Sequence, residues 1–216
     1  MGAQGADESS TTRYLETTRG TLSYSQVADI VADHLAVLLD RIALGEFADR
    51  PIAAALVQEF HYEILAPIVP AIAGKWRPVD VTVGKHLPPR WYEVPTLMHN
   101  YALNLDAQVA ACGGAEERQI EALAYAEGHM LTIHPFEDFN GRAVRAFITE
   151  ILRRLDMPPI EVSVERNTQQ FEDYKLCLRA FDEGNPQLLR EFWVARFEDQ
   201  IEVLLNAAYP EDNQYP

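Results

Sequence analysis

Apolar residues recur every three or four positions along most of the chain, a spacing that places them on one face of a helix. After Ser25, apolar side chains at 27, 30, 31, 35, 38 and 39 follow this spacing, and Gly45 closes the segment. The same spacing elsewhere, bounded by glycine and proline, brings the number of predicted helices to seven. These helices cover roughly residues 25–45, 51–66, 93–111, 115–132, 141–155, 168–183 and 186–207.

One stretch breaks the helical pattern. Residues 73–89 read AGKWRPVDVTVGKHLPP, in which glycines and prolines surround a short alternation of β-branched residues. This composition favours a small β-hairpin or an extended flap at about 78–85. The predicted fold class is therefore all-α, a helical bundle core with one small β-hairpin flap.

Composition narrows the classes of protein to consider. The chain has 216 residues, 48% of them apolar, which is typical of one globular domain. A formal net charge of −15 disfavours nucleic acid and anionic membrane surfaces as partners. Neither a membrane span nor a signal peptide is indicated, and the two cysteines lack metal-binding spacing. We therefore expect a cytoplasmic protein with reduced thiols.

Residues 134–145, HPFEDFNGRAVR, concentrate polar side chains in a loop that leads into a predicted helix. Free N–H groups and the helix dipole favour an anion at a helix N-terminus, and Gly141 allows a phosphate to approach the backbone closely. Arg142 and Arg145 lie on the same side of the first turn, and guanidinium groups match phosphate oxygens. This pattern indicates a site for a phosphate-bearing ligand.

A polyphosphate usually arrives with Mg²⁺, which takes one or two carboxylates together with the phosphates as ligands. Asp138 or Glu137 is the candidate carboxylate. His134 is the candidate general base, because imidazole titrates near neutrality. Each residue alone would also suit a packed loop, a helix cap or a solvated face. Their combination within twelve positions favours transfer of a phosphate-containing group.

Five other histidines, at positions 34, 61, 86, 99 and 129, lie outside this stretch. None has the HExxH or paired-ligand spacing of a zinc site. We predict capping, surface or satisfied core positions for them.

The twelve residues resemble the signature of the Fic family, HPFx(D/E)GNGRxxR, at every signature position except Phe139, where the family has glycine. The likeness extends to HYEILAPI at 61–68, to the 73–89 segment and to FEDYKLCLRAFDEGN at 171–185. It implies a Fic fold with a Fic domain over residues 21–208. An N-terminal segment, 1–20, and a flexible tail, 209–216, would flank this domain.

The resemblance also implies roles for individual residues. His134 corresponds to the base that deprotonates a target hydroxyl, and Asp138 to the Mg²⁺ ligand. The residues that correspond to the family's nucleotide and phosphate contacts are Phe139, Asn140, Gly141, Arg142, Arg145 and Tyr174. Those that correspond to its target-aligning flap are Val81, Thr82, Val83 and Gly84. For Tyr174, an ordinary aromatic residue on a helix surface is the alternative interpretation.

Fic proteins usually transfer AMP from ATP to a Ser, Thr or Tyr hydroxyl of a target protein and release pyrophosphate. The phosphorylating Doc branch has lysine at the position of Gly141, so AMP transfer is favoured here. The alternatives are Doc-like phosphorylation, transfer of uridylyl or phosphocholine, and a degenerate module that binds nucleotide or a partner protein without transfer. Autoadenylylation and an antitoxin partner are further options.

Many Fic proteins carry an inhibitory helix with the pattern (S/T)xxxE(G/N). The stretch TRYLET places Thr12 and Glu16 at this spacing, with Thr17 where glycine or asparagine is expected. One hypothesis is that a helix within residues 1–20 brings Glu16 onto Arg145, where it competes with a phosphate. The alternative is a first polar helical turn without an inhibitory role.

Overall fold

The structure, a computed structural model, describes residues 13–208. Within this range the chain forms two strands and seven α-helices. They are β1 (Tyr14–Thr17), β2 (Gly20–Ser23), α1 (Tyr24–Ala43), α2 (Ala54–Leu65), α3 (Val94–Ala111), α4 (Glu116–Ile133), α5 (Asn140–Arg154), α6 (Gln169–Asp182) and α7 (Gln187–Ala208). The helical fold class is confirmed, and the helix ends agree with the sequence predictions to within three residues. The predicted flexible tail, 209–216, lies outside the described residues.

Helix α1 shows how local sequence sets the fold. Ser23 caps its N-terminus by accepting from the Gln26 N–H, and the Gln26 side chain accepts from the Ser23 N–H, which forms a capping box. The apolar spacing then buries one stripe, which consists of Val27, Val31, Leu35, Leu38 and Ile42. The helix ends shortly before Gly45, which has φ +77°. The stripe faces α2 and α5.

Helices α4 and α5 occupy the centre of the bundle. Helix α5 packs against α1, α2 and α4, and α4 also packs against α3, α6 and α7. The face of α5 that points inward is almost completely buried: Val144, Phe147, Ile148, Ile151 and Leu152. The loop that joins α4 to α5 carries the motif of interest. Its two ends are therefore fixed by the two central helices of the bundle.

The N-terminal residues form a hairpin, not the predicted inhibitory helix. Strands β1 and β2 are antiparallel, with Tyr14 opposite Ser23. The turn uses Gly20 at φ +89°, a conformation that suits glycine. Thr18 ties the turn to the end of α2, because its N–H donates to Ile68 O at 3.0 Å and its hydroxyl to Pro67 O at 2.8 Å. The prediction of a helix here was wrong for residues 13–20, and Thr12 lies outside the described residues.

The segment at 78–85 contains no regular β-strand, so of the two forms predicted for it, a small β-hairpin or an extended flap, the structure shows the extended flap. It is an extended flap whose one ladder-like contact joins Val83 and His86 through two backbone hydrogen bonds of 3.1 and 2.9 Å. Prolines at 78, 88 and 89 lack the N–H group that a regular ladder needs. The small antiparallel sheet of this fold therefore lies at the N-terminal hairpin.

Cys112 and Cys177 are buried and form no disulfide, as predicted. Between residues 13 and 208, every helix is too short or too polar to cross a lipid bilayer.

Gly128, in the middle of α4, sets the distance between α4 and α6. A β-carbon built there would lie 2.5 Å from Cζ of Phe181, whose ring packs edge-on against His129. We expect Gly128→Ala to lower the free energy of unfolding by about 1–3 kcal/mol in urea denaturation, since the ring must move. Gly141→Ala is the matched control, because no atom lies within 4 Å of its β-carbon. Equal losses for both variants would contradict this explanation.

Candidate active site

His134 sits where α4 ends and the motif loop begins. Its backbone is left-handed, with φ 49° and ψ 63°, and its N–H donates to Met130 O at 3.0 Å. Phe139, just before α5, is also left-handed, with φ 57°. Such conformations are costly for residues other than glycine and cluster at functional sites. Together the two residues turn the chain sharply from one central helix into the next.

Asn140 closes the loop between these turns. Its Oδ1 accepts from the Phe136 N–H and its Nδ2 donates to Phe136 O, both at 2.9 Å. The side chain is buried, so it has little access to a ligand. The Asn140 side chain therefore braces the loop. The predicted phosphate contact at Asn140 stays a prediction.

His61, on α2, holds the same loop from the other side. Its Nδ1 accepts from the Gly74 N–H at 3.0 Å, so the proton of the neutral ring must be on Nε2, which donates to Asp138 O at 3.1 Å. The ring also stacks flat on Phe136, with 3.7 Å between centroids. Burial lowers the pKa of His61 to about 4, although the contact with Asp138 opposes this. His61 is a satisfied core histidine, as predicted, and it fixes the loop that carries Asp138.

Arg77 is a fully buried arginine that joins the flap to the loop. Its guanidinium donates to His134 O at 2.9 Å, Val79 O at 2.9 Å and Ile133 O at 3.4 Å, and also to Pro89 O. Ile133 and His134 are at the end of α4, where carbonyl groups lack helical partners. Arg77 therefore caps α4 and ties both arms of the flap to it.

The imidazole of His134 is half-buried. Burial and then the nearby Arg77 and His86 lower the pKa of His134 to about 4, while a hydrogen bond with the Leu131 backbone opposes the shift. The ring is therefore neutral at pH 7 and can accept a proton. Neutrality is a necessary condition for the predicted general base, whereas a pKa nearer to 7 would make the ring a stronger one.

Asp138 is buried, and both its carboxylate oxygens have partners. Oδ1 accepts from the Phe139 N–H at 3.1 Å, and Oδ2 lies 2.8 Å from Nη2 of Arg13. Glu137, the other candidate, is exposed. In residues 13–208 no three acidic, histidine or cysteine side chains gather as a metal cage. A single carboxylate nevertheless suits Mg²⁺, which takes most of its ligands from phosphates and water. A metal ion on Asp138 would replace Arg13.

Phe139 fills the position where the resemblance implies glycine. Its ring is buried and stacks on Tyr24, the first residue of α1, with 5.4 Å between centroids and 12° between planes. The guanidinium of Arg142 lies 5.2 Å from the Phe139 ring centroid and donates to Ala28 O at 3.1 Å. The larger residue is therefore accommodated by packing against α1.

Arg145 pairs with Glu161 at 2.8 Å. Glu16 lies on the exposed side of β1 and accepts from the Thr21 hydroxyl at 2.7 Å. The predicted pair between Glu16 and Arg145 is therefore wrong, because the strand keeps Glu16 within its own hairpin. The carboxylate that pairs with Arg145 is instead supplied by the loop that follows α5.

Tyr174, on α6, is part of a buried polar cluster. Its hydroxyl donates to Glu127 Oε1 at 2.7 Å, and Arg196 pairs with Glu127 Oε2 at 3.0 Å. The Arg196 guanidinium also lies 5.3 Å from the Tyr174 ring centroid. Burial and the nearby Glu127 carboxylate raise the pKa of Tyr174. The alternative of an ordinary surface aromatic does not fit these contacts, and a role beside a nucleotide base stays a prediction.

The flap runs along the motif loop. Trp76 forms an antiparallel bridge with Phe136, and the Arg77 N–H donates to Pro135 O at 2.9 Å. Of the predicted flap residues, Val81 is half-buried, whereas Thr82, Val83 and Gly84 are exposed. An exposed edge beside His134 is compatible with alignment of a target segment, which stays a prediction.

Sequence reasoning missed several residues that contact the motif, among them Arg13, Tyr24, His61, Arg77 and Glu161. The sequence around His61 lacks the spacing of a metal site and therefore suggested no role for it. The one available signal was Phe139, since a buried aromatic residue in place of glycine requires a packing partner. That packing partner is Tyr24. It lies 115 positions away in the sequence and could therefore not be inferred.

Residues 51–152 match the family model described as the Fic/DOC family. The protein adenylyltransferase Fic of Drosophila persimilis is 26% identical over 181 residues, which cover 79% of this chain and 34% of that relative. The chain thus spans about a third of the length of the curated relatives it matches.

Solved structures show the same fold. Fic-1 from C. elegans (residues 134–508) aligns with a TM-score of 0.65 at 21% identity, covering 85% of this chain and 52% of that one. The N-terminal Fic domain of a putative cell filamentation protein from Bartonella quintana, with bound ADP, aligns with a TM-score of 0.59 at 16% identity, covering 89% of this chain and 92% of that one.

The two hydrogen bonds of His61 generate a stability prediction. His61→Phe preserves an aromatic ring against Phe136 but leaves the Gly74 N–H and Asp138 O without these partners. We expect the free energy of unfolding to fall by about 2–4 kcal/mol in urea denaturation. His34→Phe is the matched control, because His34 makes one such bond, to Ile64 O. We expect it to cost about 1 kcal/mol. A His61 loss no larger than the His34 loss would contradict the bracing role.

The pKa values of His61 and His134 predict a pH dependence of stability. Both are about 4 in the folded protein and about 6.5 in the unfolded chain. Between these values the unfolded chain binds more protons, so the free energy of unfolding falls as pH drops from about 7 to 4, by a few kcal/mol. His61→Phe or His134→Ala should flatten this slope in urea titrations, whereas His99→Ala, at an exposed site, should not. Unchanged slopes in the first two variants would contradict the assignment.

Proposed function

We propose that this chain, whose residues 51–152 match the model of the Fic/DOC family, is a protein adenylyltransferase. It transfers AMP from ATP to a Ser, Thr or Tyr hydroxyl of a target protein and releases pyrophosphate. The observation that carries the proposal is the joint placement of a neutral imidazole, a buried carboxylate and two arginines on one loop and the helix turn after it.

The chemistry follows from these groups. The ring of His134 accepts the proton of the target hydroxyl, whose oxygen forms a bond to the α-phosphorus. The bond between that phosphorus and the bridging oxygen breaks, and pyrophosphate leaves with the bonding electron pair. A neutral His134 at pH 7 allows the first event, since a protonated ring could not act as a base. Most of the remaining catalysis is positioning and charge stabilisation.

The start of α5 provides an anion site for the phosphates. Its N-cap residue, Phe139, makes no side-chain cap, and its first turn contains no acidic residue. The N–H groups and dipole of the helix therefore favour a negative group there. Gly141 is exposed and has no atom near its missing β-carbon, so a phosphate can approach its backbone. Two neighbours with this fold, both from Bartonella, were solved with ADP and with AMPPNP, which supports a nucleotide as substrate.

Asp138 would hold the Mg²⁺ that accompanies ATP. When bound, this ion would neutralise part of the phosphate charge. Arg142 and Arg145 would hold the phosphate tail after exchanging Ala28 O and Glu161 for phosphate oxygens. The exposed flap edge from Thr82 to Gly84 would align the target segment beside His134.

Labelled ATP tests the proposal. With Mg²⁺ and ATP labelled at the α-phosphate, we expect label on protein, on this chain itself or on proteins of a lysate. His134→Ala should lower the rate by at least about 100-fold, since it removes the base. His99→Ala, at an exposed position outside the site, should retain the wild-type rate.

Other outcomes would replace the proposal. Label transferred only from γ-labelled ATP would identify a kinase, as in the Doc branch. Measurable ATP binding without transfer from either position would identify a module that binds nucleotide without reaction, a function that the bulky Phe139 would then explain.

A further inference from the structure

Arg13 is a residue outside the motif that contacts its buried acid. Its Nη2 lies 2.8 Å from Oδ2 of Asp138. The Arg13 side chain is 32% exposed and that of Asp138 is 10% exposed. The ion pair is therefore largely removed from water, and the carboxylate has its countercharge within the chain.

The position of Arg13 depends on the residue that departs from the family signature. The guanidinium of Arg13 lies 5.6 Å from the ring centroid of Tyr24, and that ring stacks on Phe139. Arg142 lies over the Phe139 ring. The four side chains are thus linked by two cation–π contacts and one ring stack, each of which is favourable. With glycine at position 139 the Tyr24 ring would lose its stacking partner.

Backbone contacts hold Arg13 in place while leaving its side chain able to move. The Tyr24 N–H donates to Arg13 O at 2.7 Å, and Arg13 immediately precedes β1. The hairpin is anchored to the end of α2 by Thr18, at the opposite end of the strands. The guanidinium could therefore swing away from Asp138 without disturbing this anchor.

A guanidinium and a divalent cation cannot share Oδ2 of a buried carboxylate at low cost. Their mutual repulsion is strong where water is scarce. A buried carboxylate without any countercharge is also unfavourable, so one cation or the other should be present. Phosphate oxygens would give a displaced guanidinium a new partner of the same charge type.

We infer that Arg13 is an additional residue of this site, the cation that neutralises Asp138 and competes with a divalent metal ion for it. Phe139 and Tyr24 position this cation. The inference rests on the proposed function in one respect, the assignment of Asp138 as the metal ligand.

Direct metal binding tests the competition without any transfer reaction. Mn²⁺, which accepts the same oxygen ligands as Mg²⁺, is titrated into the full chain without nucleotide, and free Mn²⁺ is measured by electron paramagnetic resonance. We expect Arg13→Gln to bind one Mn²⁺ at least about tenfold more tightly than wild type, because a neighbouring positive charge is gone. Adding Asp138→Asn to this variant should abolish the gain.

Arg19→Gln is the matched control. Arg19 belongs to the same hairpin and is exposed, so its replacement changes the net charge equally without touching Asp138. We expect its Mn²⁺ affinity to remain at the wild-type value. Circular dichroism and thermal unfolding establish that each variant is folded.

Tyr24→Leu is a second test variant, which keeps both charges but removes the ring beneath Arg13. It should show a smaller gain in Mn²⁺ affinity than Arg13→Gln.

Two results would overturn the inference. One is an Mn²⁺ affinity of Arg13→Gln and Tyr24→Leu equal to that of Arg19→Gln. The other is a gain that persists with Asp138→Asn, which would place the metal elsewhere. Failure of the adenylyltransferase proposal would be visible separately, as the absence of α-label transfer with metal binding unchanged.

Discussion

The site depends on hydrogen bonds that pair the buried backbone groups of one loop. The loop between α4 and α5 brings carbonyl and N–H groups into the protein interior, where an unpaired polar group is costly. Three side chains supply the partners: Arg77 for the end of α4, His61 for Asp138 O, and Asn140 for Phe136. Because each of them binds main-chain atoms, they set the path of the loop itself. The reactive side chains then project from a backbone that has little freedom to relax.

Much of the fold and the centre of the site could be predicted because their signals are local. Helices follow from apolar spacing, and the motif is contiguous in sequence. The residues that hold the motif could not be predicted, because they are distant from it in sequence. Arg77 is 57 positions from His134, and His61 is 77 positions from Asp138. Pairings of that separation arise only from helix packing. A short polar stretch such as 14–23 also carries too few positions to distinguish a helical turn from a hairpin. In the structure the turn at Gly20 makes this stretch a hairpin.

Phe139 is the clearest case in which one substitution reorganises its surroundings. A glycine there would need no neighbour, whereas a buried ring needs a surface. Tyr24 provides that surface and brings the N-terminal hairpin to the mouth of the site. The backbone at 139 is left-handed, a conformation that glycine also adopts readily. The side chain thus alters what lies beside the site more than the geometry of the site itself.

The pair formed by Arg145 and Glu161 has a consequence for how a polyanion would enter. Glu161 is 58% exposed and returns to water when a phosphate takes its place. Binding is then an exchange of ion pairs, in which the number of opposite charges in contact barely changes. Added salt weakens the old pair and the new one together. The contribution of Arg145 to the affinity would therefore depend little on ionic strength, whereas that of an arginine without a carboxylate partner would fall more steeply.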